Sequence, residues 1–64
     1  MNEYRQGMQA AYTQLKIYCE TRRENYLLLA NTSITPPELK EKFMERALAL
    51  IETIDAIDNV MSVF

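Results

Sequence analysis

Sixty-four residues carry a formal net charge of −2, with 48% hydrophobic and 25% charged residues, one glycine, two prolines and no histidine. That length allows one domain at most, and so short a chain buries only about 60% of the surface its unfolded form exposes. One cysteine and no histidine exclude an intrachain disulfide and a Cys- or His-rich metal site, so self-association or a protein partner is the expected source of extra stability.

The composition is that of a soluble helical protein. The single cysteine suits a reducing compartment. The N-terminal Met1-Asn2-Glu3-Tyr4-Arg5 leads into polar residues instead of the apolar run of a secretory signal. No uncharged apolar stretch approaches the roughly 20 residues that span a bilayer. A cytoplasmic protein with no membrane association is expected. The negative net charge argues against non-specific nucleic-acid binding. Residues 1–31 hold four cationic and three acidic side chains, and residues 32–64 hold three and six. This asymmetry favours antiparallel pairing of the two halves.

A first helix is predicted over about residues 3–30, with Asn2 as N-cap. Tyr4, Met8, Ala11, Leu15, Tyr18, Arg22, Tyr26 and Leu29 recur at three- and four-residue steps, the spacing of one apolar stripe, with Tyr12 and Cys19 beside it. Gly7 costs roughly 1 kcal/mol relative to alanine in such a segment. A turn follows over about 31–35, in which Asn31 can take the left-handed conformation that ends many helices.

Thr35-Pro36-Pro37-Glu38 is the hard break of the chain. Thr35 reads as an N-cap, the prolines as first-turn residues and Glu38 as the partner of a capping box. Ile34 and Leu39 stand where a hydrophobic staple would close. The second helix is predicted over about 36–62. Its stripe is Leu39, Phe43, Ala47, Leu50, Ile54, Ile57, Met61 and Phe64, widened by Met44, Leu48 and Ile51 on one side and Val60 on the other. A hairpin needs only about a 100° stripe to cover its partner helix, so the excess apolar arc calls for a second partner. In the folded hairpin Leu15 is expected near the level of Ile51, and Arg22 near that of Glu45.

Arg22 interrupts the first stripe, and its stem is expected over the core with its head on a carboxylate such as Glu45; the alternative is a polar anchor for a partner. Arg5, Tyr12, Lys16 and Arg23 fall on one ridge, where cations and an aromatic ring can meet RNA phosphates and an unstacked base. The plainer reading is a solvated flank, since three charges give little electrostatic grip. Glu52, Asp55 and Asp58, with Glu45 further back, could face a hard cation, yet the Glu-x-x-His pattern of bundle metal sites is missing. They read as an acidic flank. Cys19, beside Arg22 and Arg23, is weighed as a redox thiol and preferred as a small core residue. Four tyrosines and four methionines supply adaptable contact surface.

The expected architecture is all-α: an antiparallel two-helix hairpin that dimerises into a four-helix bundle or packs on another protein. With no base, phosphate loop or pocket-forming layer, no enzyme, cofactor, metal or small-molecule substrate is expected. The preferred function is a protein–protein interaction module (regulator, inhibitor or chaperone-like adaptor) working through an apolar helix face. The partner-binding candidates are Tyr12, Tyr26, Phe43, Met44, Leu48, Ile51, Val60 and Phe64. Two alternatives follow from resemblances of plan. The hairpin, with its Arg5–Tyr12–Lys16–Arg23 ridge, is similar to the plasmid-encoded RNA-binding hairpins that dimerise into four-helix bundles, which implies RNA contact through the first helices. The helix–turn–helix plan with its apolar Asp58-to-Phe64 end also resembles type III secretion needle subunits and their small chaperones, which implies a role in a helical secretion assembly.

Overall fold

A computed structural model describes residues 2–63, without the side chain of Asn2, so the expected Asn2 cap and the expected roles of Phe64 lie outside the described residues. The described residues form two helices and no strand: α1 (Asn2–Asn31) and α2 (Pro37–Met61). The helices run antiparallel, side by side. The principal extents of 51 × 14 × 10 Å are those of a single layer two helices wide. A single layer covers each helix on one side only.

α1 runs through Gly7 without interruption, and a Cβ there would meet nothing within 4 Å. The glycine therefore admits no close neighbour. α1 ends at Thr32, whose hydroxyl donates back to the Leu28 carbonyl at 2.7 Å while its N–H reaches the Leu29 carbonyl at 3.4 Å. The Thr35 N–H donates to the Thr32 carbonyl at 3.1 Å and closes the turn. No described residue has a positive φ, so Asn31 does not take the left-handed conformation expected of it.

The capping box is also corrected. The N-cap of α2 is Pro36 (φ −59°, ψ 146°), Pro37 is the first helical residue, and no side chain caps the helix. The cause is steric. A residue that precedes proline is driven out of the helical region, so Pro37 forces Pro36 to remain extended. The helix then starts one residue late, and Thr35 stands outside the cap position. The Leu39 and Lys40 N–H groups both donate to the Pro36 carbonyl at 3.0 Å. Ile34 is 88% exposed, so the staple with Leu39 does not close.

The core is small: Cys19, Ala30, Ala47, Ile54 and Ile57 are its buried hydrophobic residues. Tyr12, Leu50 and Met61 pack half-buried around the cluster of Cys19, Ile54 and Ile57. For α2 this is the predicted stripe. For α1 it is not. The inward positions are Met8, Tyr12, Lys16, Cys19, Arg23, Tyr26 and Ala30, while Tyr4, Ala11, Leu15, Tyr18, Arg22 and Leu29 are exposed. At about 100° per residue, α1 is rolled by roughly 80° from the predicted orientation. Cys19 and Ala30 are small, so facing them inward lets the backbones approach, whereas a seam of Leu15, Tyr18 and Leu29 would hold the helices apart.

Candidate partner-binding surface

The roll of α1 gives the layer two unlike faces. Where α1 and α2 meet, Tyr26 stacks on Phe43, with ring centroids 6.0 Å apart and planes inclined by 26°. Arg46 of α2 reaches Tyr26 along one edge of the seam, and Lys16 meets Asp58 along the other. Both contacts lie a few residues beyond equal height. Side chains lean toward the N-terminus of their own helix, so antiparallel neighbours meet tip to tip between offset positions.

The first face is aromatic and basic. The guanidinium of Arg22 lies 5.7 Å from the Tyr18 ring and 5.4 Å from the Tyr26 ring, and its Nη2 donates to the Tyr26 hydroxyl at 2.8 Å. Arg46 approaches the same hydroxyl at 3.4 Å, with its Cζ 5.9 Å from the ring. These bonds hold the Tyr26 phenol below its ordinary value, the Arg46 bond first and the Arg22 bond next, against burial, which acts in the opposite sense. The Arg22 bond is the shorter and has the better hydrogen-bond distance. Two open hollows flank the pair. One, of about 220 Å3, is lined by Arg22, Asn25, Tyr26 and Leu29, and the other, of about 360 Å3, by Arg22, Tyr26, Arg46, Ala49 and Leu50.

Arg22 therefore does not pair with Glu45. Glu45 is on the outer side of α2, and its lean carries it toward the turn while Arg22 leans the other way. The two tyrosine rings take the place of the carboxylate, a cation–π arrangement. Lys42 shares this face, and around it lie Leu15, Leu29, Leu39 and Val60, between 39% and 46% exposed.

The opposite face is acidic. Glu20 of α1 and Asp55 of α2 project there by helical position, with Glu41 at its margin and Glu52 on the outer edge of the layer beside Glu45, around the exposed Met44 and Leu48 and the half-buried Leu27 and Ile51. Its cations are Lys16 and Lys40, and Lys16 is tied to Asp58 at 2.6 Å. That bond raises the Lys16 ammonium above its ordinary value. Among the described residues, no group of three acidic or cysteine side chains is arranged to hold a metal ion.

The predicted residues are thus distributed unevenly. Met44, Leu48 and Ile51 share the acidic face, and Val60 is at the margin of the basic one. Tyr12, Tyr26 and Phe43 are half-buried within the hairpin. The Arg5–Tyr12–Lys16–Arg23 ridge does not stand clear: Tyr12 packs on the core, Lys16 binds Asp58 and Arg23 is half-buried, while Arg5 is exposed. Cys19 is buried with Ile54 and Ile57. Sequence reasoning missed Tyr18, Leu15 and Leu29 as surface residues. The signal was present, because Cys19 and Ala30 form a second stripe of small residues beside them.

The surface area gives a scale. The chain exposes 5038 Å2, against about 4,200 Å2 for a compact monomer of its mass. The excess of roughly 800 Å2 is about what one partner contributes to a standard interface. No helix among the described residues is long and apolar enough to cross a membrane. No protein-family model, curated protein or solved structure matches the chain.

Proposed function

We propose that this hairpin is a non-enzymatic protein–protein interaction module that works through the apolar helix surface its own fold leaves uncovered. One observation carries the reading: twelve large hydrophobic side chains are exposed among the described residues, against five buried hydrophobic residues, three of them cysteine or alanine. Such a core is too small to account for a stable chain of this length, and apolar patches on this scale mark interaction sites. Covering either face with a second hairpin makes a four-helix arrangement; covering it with another protein makes the chain an adaptor, inhibitor or chaperone-like regulator. Cytoplasmic residence suits a lone buried thiol. RNA binding is the weaker reading, because three of the four ridge residues are engaged by or turned toward α2.

Sedimentation equilibrium with circular dichroism on the same samples tests this reading. The expected result is that helix content and mass rise together with concentration, or that both rise when a partner is added. A fully helical monomer at every concentration, with no affinity for an apolar-surface dye, overturns it.

A further inference from the structure

We infer that the occupant of each face is another copy of this chain, the aromatic-basic face of one hairpin lying on the acidic face of the next. This rests on the proposed interaction role and adds the identity of the partner.

The charges decide the pairing. Arg22, Arg46 and Lys42 lie on the basic face, and the nearest carboxylates, Glu38 and Glu45, stand at its outer margin. Neither guanidinium meets an acid among the described residues, and both converge on the Tyr26 hydroxyl. If two basic faces met about a two-fold axis, four guanidinium groups would leave water with no counter-charge. Desolvating an ion without a counter-charge opposes association. Two acidic faces would bring the Glu20 and Asp55 carboxylates of both copies together, which is unfavourable for the same reason. Laying unlike faces together puts carboxylates beside Arg22 and Arg46 and buries Leu15 and Tyr18 against Met44 and Leu48. Those four residues are 46%, 58%, 39% and 53% exposed in the lone hairpin. The surface excess of roughly 800 Å2 is enough for one contact of this kind.

Such a contact is heterologous. Each added hairpin presents a new basic face at one end and a new acidic face at the other, so the assembly extends or closes into a ring instead of stopping at two. The first step is a four-helix pair.

The test uses two double variants of the full chain. Leu15→Lys with Tyr18→Lys removes the apolar part of the basic face and leaves its sign unchanged; Met44→Glu with Leu48→Glu does the same to the acidic face. In sedimentation velocity at low salt, the wild type should pass beyond a dimer as concentration rises. Each variant alone should be a monomer, and an equimolar mixture should double the sedimenting mass and stop there. A variant that still dimerises by itself would show that like faces pair and would overturn the inference while leaving the interaction role standing. A folded wild-type monomer that binds only a foreign protein would overturn it too, again without touching that role. Salt gives a reading that needs no variant. Association of unlike faces should weaken at least tenfold in apparent constant between 50 mM and 500 mM sodium chloride, and strengthening with salt would contradict it.

Discussion

α1 and α2 solve the same packing problem in opposite ways. α2 turns bulky Ile54 and Ile57 inward, with Ala47 between them and the turn. α1 fully buries only the small Cys19 and Ala30, and leaves Tyr4, Leu15, Tyr18 and Leu29 outside. A helix whose fully buried residues are small, with large apolar side chains left outside, has one close neighbour and surface for another. α2 supplies the first. On the proposed reading the second lies outside the hairpin, which makes α1 the candidate recognition helix.

Substitutions that separate these two sides should differ in kind as well as size. The largest effect is expected at Ile54. Ile54→Ala opens the centre of a five-residue core, and a loss of about 3 kcal/mol, within the range for buried isoleucine, should abolish cooperative melting by circular dichroism. Tyr18→Ala is its counterpart on the other side. The ring packs against Arg22 and not the core, so monomer stability should stay within about 0.5 kcal/mol. Association measured by sedimentation should fall at least tenfold, as for an aromatic anchor. Equal losses of stability at both sites would erase the distinction between core and recognition side.

The arginine–tyrosine cluster sharpens the comparison through pH. Because the folded Tyr26 phenol is held low, its contribution to stability is present above the unfolded value and is lost as pH falls through the folded one. Lys16 is raised, so its contribution is complete below the unfolded value and disappears as pH rises through the folded one. On going upward from neutrality, stability should therefore first rise through Tyr26 and then fall through Lys16. Tyr26→Phe should delete the early step of the tyrosinate absorbance titration and the rise in melting temperature with it. An unaltered titration would mean that Arg22 and Arg46 do not hold that hydroxyl in solution.

The smallest effect is expected in the turn. Thr35→Ala should change stability by less than about 0.5 kcal/mol, because no side chain caps α2. A loss near 1 kcal/mol, typical of a removed N-cap, would restore the capping role that Pro36 and Pro37 deny to Thr35.

These cases also show how far the sequence could be read. Both helices and the turn followed from periodicity and from the two prolines, which are local signals. The shift of the α2 start was legible as well, because the restriction on a residue before proline is local too. The face of α1 was not settled by pattern. Leu15–Tyr18–Leu29 and Tyr12–Cys19–Ala30 are stripes only about 80° apart, and the choice between them is made by how closely α2 can approach. The same roll moved Arg22 away from Glu45 and onto Tyr18 and Tyr26, and turned Lys16 toward Asp58. Pairings between helices depend on a rotation that neither helix specifies alone.

The most direct test of the central claim, that the uncovered side of α1 is meant to be covered, is thermal melting by circular dichroism over three decades of protein concentration. Binding that stabilises only the folded chain makes the midpoint depend on concentration. The melting temperature should climb steadily across the range, and the climb should be lost in the Leu15→Lys/Tyr18→Lys chain. A sharp, high and concentration-independent melt, in a chain that also shows no affinity for an apolar-surface dye, would show that five buried residues suffice for this hairpin and that its outer side needs no cover.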